Sequence, residues 1–203
     1  MIKWLFFDLG STLIDESDCE AFRFSDLLSQ FNGLTEESLI EKYRYYIGKN
    51  QSPYKTIVKE FNLTPAKWPI HLEKLYPEVP YVLEHLVKKY RLGVIANQSL
   101  GTEERLVQYG IRKFFDVIIS SSEVGYTKPK LEIFKLALSS AGCLPSEAYI
   151  IGDRLDNDIE PAGNMKMHTL WVKQGLFAES NLESIQNKPE IIVDHISEIL
   201  NYL

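Results

Sequence analysis

Residues 2–15 read IKWLFFDLGSTLID, and this stretch decides the fold. The segment Ile2–Phe7 is predominantly apolar, which is typical of a strand buried on both faces of a parallel sheet. Asp8 follows this predicted strand directly. In an open parallel sheet, functional groups collect beyond the carboxyl ends of the strands. Asp8 is therefore the first candidate for a functional side chain.

The pattern changes after Ile14. Residues 15–78 are predicted to be helical, with helices at Glu20–Phe31, ending at Asn32-Gly33, at Glu36–Ile47 and at Tyr54–Phe61. Thr35 precedes the second of these helices and favours an N-cap. An all-helical stretch inserted after a strand predicts a cap above the end of that strand. Its tyrosines either line a substrate pocket or pack within the cap, namely Tyr43, Tyr45, Tyr46 and Tyr54.

Strands and helices alternate along the rest of the chain. The predicted strands are Leu92–Ala96, Asp116–Ser120, Ala148–Ile151, Thr169–Val172 and Ile191–Val193. The predicted helices are Pro80–Tyr90, Thr102–Tyr109, Lys130–Ala141, Asp158–Gly163 and Ile196–Leu200. Such alternation implies right-handed crossovers and a parallel sheet covered on both faces. We therefore predict an α/β fold, a three-layer Rossmann-like core of residues 1–14 and 79–203 with a helical cap of residues 15–78.

Composition and charge argue against several classes of protein. The 203 residues, 45% of them hydrophobic, suffice for one core domain with an insert. A net charge of −6 argues against nucleic acid as a partner, and no apolar stretch approaches the length of a membrane span. Cys19 and Cys143 show no metal-ligand spacing. We expect a cytoplasmic protein that acts on a small molecule, and no pattern indicates an oligomeric state.

Charged and polar side chains follow several of the predicted strands. Asp153 comes just after Ala148–Ile151, Asn97 follows Ala96, and Lys128 lies in the loop beyond the third strand. Carboxylates and a lysine at one edge suit Mg²⁺, which binds carboxylate oxygens and shares the phosphate of its substrate. A carboxylate there can attack phosphorus and form an aspartyl-phosphate. The lysine would neutralise charge on the transferring group.

Three segments resemble the motifs of one family. They are FFDLGSTLID at residues 6–15, GYTKPKLEIF at residues 125–134 and IIGDRLDNDIEPAGNMKMHTLWV at residues 150–172. In order and spacing they resemble the haloacid dehalogenase (HAD) superfamily of hydrolases, in which a C1-type helical cap lies where residues 15–78 stand. The resemblance implies a hydrolase with Mg²⁺ as its cofactor and a small phosphorylated substrate.

The resemblance also implies roles for particular residues. Asp8 would be the nucleophile, and Lys128 would hold both Asp8 and the phosphate. The implied metal ligands are Asp8, the backbone carbonyl of Gly10, Asp153 and, through water, Asp158. The other implied phosphate-binding residues are Thr12 and Asn97.

Two positions depart from the pattern of the family. Gly10 stands where the general acid/base aspartate usually lies, so activated esters should be favoured over alkyl phosphates. Ala96 stands where a serine or threonine hydroxyl usually binds the phosphate. Candidate substitutes are Asn97 or Ser99 for the hydroxyl and Asp15, Glu16 or Asp18 for the acid.

Three functions stay open at this point. The first is a Mg²⁺-dependent phosphatase that forms an aspartyl-phosphate on Asp8. The second is a dehalogenase, because a halide leaves without a proton, or a C–P hydrolase that forms a Schiff base on a cap lysine. The cap lysines considered for that role are Lys42, Lys49 and Lys55. The third is a protein that keeps the fold and the metal site for binding or regulation.

Overall fold

The computed structural model describes residues 1–30, 33 and 35–203. Its strands are β1 (Trp4–Phe7), β2 (Ile14–Asp15), β3 (Lys74–Leu75), β4 (Arg91–Ala96), β5 (Val117–Ser120), β6 (Ala148–Gly152), β7 (His168–Val172) and β8 (Ile191–Val193). Its α-helices are α1 (Ser17–Gln30), α2 (Glu36–Gly48), α3 (Pro53–Glu60), α4 (Val79–Leu86), α5 (Thr102–Gln108), α6 (Ser121–Val124), α7 (Leu131–Ala141) and α8 (Glu160–Asn164). Within the described residues, none of these helices combines the length and apolar character that crossing a membrane requires.

Six strands form one parallel sheet in the order β5-β4-β1-β6-β7-β8. Side chains alternate between the two faces of a strand. Phe7 therefore packs into the core on one face, and Phe6 packs into the core on the other. Both faces are covered, and the predicted α/β fold with a parallel Rossmann-like sheet is confirmed.

The order of the strands determines where a ligand can bind. From β1 the chain runs outward through β4 and β5 and then crosses back to build β6, β7 and β8 on the other side. The end of β1 is therefore the point at which the strand order reverses, where open α/β sheets hold their ligands. Asp8 lies at this point, between the ends of β4 and β6.

Residues 15–78, the proposed cap, contain α1, α2 and α3. These helices share a hydrophobic cluster whose buried members include Leu27, Leu39 and Ile57, and to which the core contributes Phe177. Tyr43 and Tyr54 are buried in the same cluster, as packing within the cap requires. The two ends of the insert are joined by the short antiparallel pair β2–β3, which brings the entering chain beside the leaving chain.

Several predicted boundaries differ from the observed ones. α1 begins three residues early, at Ser17, because the carboxylate of Asp15 accepts the Ser17 N–H at 2.9 Å. Its predicted end at Phe31, with Asn32 beyond it, lies outside the described residues. α4 ends at Leu86 instead of Tyr90, since the N–H groups of Lys89 and Tyr90 close a turn onto the Leu86 carbonyl. β1 begins at Trp4 instead of Ile2, and the closing helix is a 3-10 helix, Ile196–Asn201.

The predicted helix at Asp158–Gly163 is a π-helix, Leu155–Ile159, followed by α8. The N–H groups of Asp158 and Ile159 both donate to the Arg154 carbonyl, at 2.9 and 3.2 Å. This wide turn places the Asp158 side chain against the start of the same turn, where its Oδ2 accepts the Arg154 N–H at 3.1 Å. Single π turns occur often at functional sites, and this one orients a predicted metal ligand.

A buried carboxylate, Glu73, joins the proposed cap to the core. Its side chain is fully buried and accepts hydrogen bonds from Trp68 Nε1 at 2.6 Å, Arg105 at 3.3 Å and the Tyr109 hydroxyl at 3.2 Å. Trp68 and Glu73 belong to the insert, whereas Arg105 and Tyr109 belong to the core. This network fixes one end of the insert against α5.

Replacing Glu73 with Ala should lower the free energy of unfolding by about 3 kcal/mol, because it leaves the Arg105 guanidinium buried without its carboxylate. Urea unfolding measures the change. The control is Lys74→Ala, which removes an exposed ion pair to Asp18 and should cost less than about 1 kcal/mol. Equal losses in the two variants would contradict a structural role for Glu73.

Candidate active site

Lys128 links two carboxylates at the centre of the site. Its Nζ lies 2.6 Å from Asp8 Oδ1 and 2.6 Å from Asp158 Oδ1. Burial opposes the charged form of the amine, but the carboxylates of Asp158 and Asp8 outweigh this effect and raise the pKa of Lys128. Lys128 is therefore a fixed positive charge beside Asp8. Its two contacts bring the three motif segments together, since Asp8 lies in residues 6–15, Lys128 in residues 125–134 and Asp158 in residues 150–172.

The loop that carries Lys128 is held by the loop after β4. Asn97 Nδ2 donates to the Lys128 carbonyl at 2.9 Å, and the Lys128 N–H donates to Asn97 Oδ1 at 2.8 Å. The side chain of Asn97 is thus committed to Lys128, which leaves its backbone N–H for a substrate. Ser99 contributes to the cavity wall, so it stays a candidate for the hydroxyl that Ala96 lacks.

Three buried carboxylates can hold a metal ion. Asp8, Asp153 and Asp158 each offer an oxygen, and these oxygens lie within 4.8 Å of one another. Burial first, and then the charges of Asp8 and Asp158, raise the pKa of Asp153 well above its usual range. Burial likewise raises the pKa of Asp158 to about 6. One lysine does not neutralise three acids, so the residues fit a hard divalent cation with oxygen ligands.

The contacts of these acids distinguish their roles. Both oxygens of Asp158 accept hydrogen bonds, one from Lys128 and one from the Arg154 N–H, which agrees with contact to a metal through water. Asp153 Oδ1 accepts the Thr12 hydroxyl at 3.4 Å. Thr12 is fully buried. The structure therefore places Thr12 behind a predicted metal ligand, where its hydroxyl orients Asp153.

The carboxyl group of Glu16 occupies the space beside Gly10. A Cβ atom at position 10 would lie 2.5 Å from Glu16 Oε1 and 2.7 Å from Glu16 Oε2, so a side chain there would require the Glu16 carboxyl group to move away. Glu16 therefore fills the volume that an aspartate at position 10 would need. Ser11 Oγ donates to Glu16 Oε2 at 3.4 Å, and Glu16 lines the same cavity as Asp8.

Burial, followed by the charge of Asp8, raises the pKa of Glu16 to about 8. Its carboxyl group is thus protonated at neutral pH, next to the Asp8 side chain that contacts Lys128. A protonated carboxyl group in this position is suited to donate a proton to a leaving group beside Asp8.

The other two acids of the cluster face elsewhere. Asp15 accepts the Ser17 N–H at the start of α1, and Asp18 forms an exposed ion pair with Lys74. Of the three candidates for a substitute acid, Glu16 is thus the one that lines the cavity. The sequence placed all three past the first strand but could not show which of them turns back toward Asp8.

A cavity of about 320 Å³ separates the carboxyl ends of the strands from the insert. The core contributes Asp8, Lys128, Asp153 and Arg154, and the insert contributes Glu16, Arg23, Lys55 and Trp68. Tyr43, Tyr45, Tyr46 and Tyr54 are not among the described residues that line it. The packing interpretation therefore holds for Tyr43, Tyr46 and Tyr54, whereas Tyr45 is exposed.

Sequence reasoning missed Arg154 and Arg23 among the cationic residues of this cavity, and it named Lys55 only as one of three cap lysines. Arg154 follows Asp153 directly, so its place at the end of β6 could have identified it. Arg23 and Lys55 lie on cap helices whose inward faces no pattern reveals. Arg23 stacks on Tyr54 and Trp68, with its guanidinium carbon 4.6 and 4.2 Å from the ring centroids.

The chain is similar to known hydrolases along most of its length. The family model described as haloacid dehalogenase-like hydrolase matches residues 5–172. A glyceraldehyde 3-phosphate phosphatase of Methanothermobacter thermautotrophicus is 29% identical over 226 aligned positions, covering 100% of both chains. The pyrophosphatase PpaX of Listeria welshimeri is 28% identical over 215 positions, covering 98% of this chain and 95% of the relative.

A solved structure shares the fold. The HAD hydrolase YfnB from Bacillus subtilis, bound to magnesium, superposes with a TM-score of 0.68 at 19% identity and covers 98% of this chain and 97% of that chain. The family match spans all three motif segments, and the Asp8, Lys128 and Asp153 side chains meet at the switch point of the sheet. This chain therefore belongs to the haloacid dehalogenase-like hydrolase family.

Proposed function

We propose that this protein is a Mg²⁺-dependent phosphatase of small phosphorylated metabolites that works through an aspartyl-phosphate on Asp8. The observation that carries the proposal is the contact of Lys128 with Asp8 inside a group of three buried carboxylates. Two relatives over nearly the whole chain are named as a phosphatase of a small sugar phosphate and a pyrophosphatase. A structural neighbour binds magnesium.

In this mechanism an oxygen of Asp8 attacks the phosphorus atom as the bond to the leaving oxygen breaks. Lys128 neutralises charge on the transferring group, and a magnesium ion held by Asp8, the Gly10 carbonyl and Asp153 would supply further positive charge there. Glu16 donates its proton to the leaving oxygen. The resulting carboxylate then accepts a proton from the water that attacks the aspartyl-phosphate, which releases phosphate and restores both acids.

Glu16 changes one expectation drawn from the sequence. Gly10 alone predicted a preference for activated esters, because no proton donor stood beside Asp8. With the Glu16 carboxyl in the space next to Gly10, we propose that alkyl phosphates are substrates as well. The same carboxyl makes the dehalogenase alternative less attractive, since a halide needs no acid. A cytoplasmic location, without membrane or nucleic-acid partners, stays part of the proposal and rests on composition.

One observation bears on the C–P hydrolase alternative. Lys42 pairs with Glu60 at 2.9 Å, and the Lys49 amine lies over the ring of Tyr45. Lys55 is the cap lysine that lines the cavity, so it is the candidate for a Schiff base. An arginine at position 55 keeps the charge but cannot form an imine, and this substitution separates the two functions.

The proposed function is tested by release of phosphate from p-nitrophenyl phosphate with Mg²⁺ and after chelation. We expect turnover that falls by at least about 10²-fold on chelation and returns when Mg²⁺ is added back. Turnover that survives chelation would contradict a metal-dependent reaction. No turnover of aryl phosphates, alkyl phosphates, halo acids or phosphonates would support the binding or regulatory alternative.

A further inference from the structure

The cavity beside Asp8 opens into a second compartment of about 440 Å³. The two share several wall residues, Lys128 among them. The first compartment contains the carboxyl groups of Asp8, Glu16, Glu20 and Asp153. Among the described residues that line the second, there is no carboxylate, whereas Lys55, Lys128 and Arg154 contribute three positive charges. In a chain of net charge −6, this difference marks a place for an anion.

The three cations of the second compartment are not equivalent. Lys128 is held by Asp8 and Asp158. Arg154 forms a bidentate pair with Asp156 at 2.8 and 2.6 Å. It also lies over the ring of Phe177, with its guanidinium carbon 3.7 Å from the centroid, so its position is fixed. Lys55 forms no direct ion pair with a described acid, and its charge acts on the Glu20 carboxyl group only at longer range, so its amine can still contact a ligand.

The remaining wall consists of neutral groups that can donate hydrogen bonds. Ser52 is the N-cap of α3, yet its hydroxyl makes no capping bond and faces this compartment with Lys55. The start of a helix adds partial positive charge. Gln98 and Thr127 contribute an amide and a hydroxyl from the opposite wall. A carboxylate or a phosphate forms stronger, charge-assisted hydrogen bonds with such donors than an uncharged group does.

We propose that the compartment between Lys55 and Arg154 binds a second oxyanion of the substrate, a carboxylate or a second phosphate. The substrate is then a phosphate ester or anhydride with a second anionic group close to the transferred phosphoryl group. This inference rests on the proposed function, since it places the transferred group at Asp8. It narrows the substrate class from phosphorylated metabolites in general to those with two anionic groups.

The test compares two esters that differ in one group. The first is 2-phosphoglycolate, which has a carboxylate, and the second is 2-hydroxyethyl phosphate, which has a hydroxyl in its place. We expect kcat/KM to favour the carboxylate ester by about 10- to 100-fold. Lys55→Met should abolish most of this preference by lowering kcat/KM for the carboxylate ester more than for the neutral ester, whereas Lys55→Arg should keep it. Pyrophosphate is the third substrate, and its rank distinguishes a phosphate from a carboxylate as the second anion.

The matched control is Lys59→Met, which removes a positive charge from the last turn of the same helix, away from the wall residues. It should leave the preference unchanged. Equal rates for the two esters, or equal losses for both in Lys55→Met, would overturn the inference while turnover of p-nitrophenyl phosphate still supports a phosphatase. Loss of activity in Lys55→Arg would overturn the inference of a second-anion site and would favour the Schiff-base alternative.

A binding measurement decides the inference even if no ester is hydrolysed. Calorimetry on the Asp8→Asn protein should show that 2-phosphoglycolate binds at least about tenfold more tightly than 2-hydroxyethyl phosphate. This difference in affinity should disappear in the double variant that combines Asp8→Asn with Lys55→Met. Equal affinities in both proteins would reject the second-anion site. If the second-anion site exists but the protein is not a phosphatase, 2-phosphoglycolate will bind selectively and will not be hydrolysed.

Discussion

Replacing Asp8 with Asn should reduce phosphate release by at least about 10⁴-fold. An amide of nearly the same shape cannot attack phosphorus, so no aspartyl-phosphate forms. The substitution also removes one of the two carboxylates that contact Lys128, while the 2.6 Å contact with Asp158 stays in place. The fold should therefore survive, since Lys128 keeps a buried partner. The loss is measured as kcat with p-nitrophenyl phosphate at saturating Mg²⁺.

Two controls separate loss of the nucleophile from loss of the fold. The urea midpoint of Asp8→Asn should stay close to that of the parent protein. Asp156→Asn, which changes the carboxylate that orients Arg154, should retain most of its activity toward the aryl ester. If Asp8→Asn keeps more than a few per cent of the parent rate, another group makes the bond to phosphorus.

Replacing Glu16 with Gln should lower kcat/KM for an alkyl phosphate by about 10²–10⁴-fold, the usual contribution of a positioned general acid. The effect on p-nitrophenyl phosphate should be less than about tenfold, since that leaving group departs without a proton. Gln has the shape of Glu and keeps the contact beside Gly10. A comparison of the two substrates therefore separates proton donation from packing.

The pH dependence of the rate with the alkyl ester is a second test of proton donation by Glu16. Donation requires the protonated carboxyl group, and burial with the charge of Asp8 raises the pKa of Glu16 to about 8. The rate with the alkyl ester should thus be sustained at neutral pH and fall as the pH rises through about 8. The Gln variant should lack this descending limb. Asp18→Asn, which changes an exposed acid of the same cluster, should behave as the parent protein.

Equal losses with both substrates in Glu16→Gln would indicate a structural role for Glu16. An unchanged alkyl rate would remove it from the mechanism.

Much of the site follows from the position of residues relative to the strands. The alternation after residue 79 predicted a parallel sheet, and the carboxyl ends of its strands had to meet at one edge. Asp8 and Asp153 follow adjacent strands, and their oxygens lie within reach of one ion, as the pattern indicated. Lys128 reaches them from the loop beyond β5. Strand ends are therefore the part of an active site that a single sequence predicts best.

The contacts that replace the missing groups could not be predicted in the same way. Glu16 reaches the space beside Gly10 because the turn after Asp8 folds back, with Ser11 at a φ of 55° and its N–H bonded to the Ile14 carbonyl. No periodicity encodes that reversal. Asn97 was expected to bind the phosphate, yet its side chain forms two hydrogen bonds with the backbone of Lys128. Such contacts join residues that are distant in sequence, so they depend on packing that only the folded chain defines.

The boundaries show the same limit on a smaller scale. The wide turn Leu155–Ile159 reads as ordinary helix in sequence, because its acidic residues also suit a helix start. In the structure this turn directs Asp158 back toward Lys128 at 2.6 Å. Lys55 shows a similar limit. The start of α3 was predicted to within one residue, but which face of α3 turns toward the cavity depends on how the insert packs on the core.

The central claim is that Asp8 becomes phosphorylated during turnover. Mixing the protein with Mg²⁺ and substrate, quenching in acid and mapping the digested peptides by mass spectrometry tests it directly. We expect a phosphoryl group on Asp8 in the peptide that contains FFDLGSTLID, labile to hydroxylamine and absent in Asp8→Asn. A phosphoryl group on another residue, or turnover with Asp8 never modified, would contradict it.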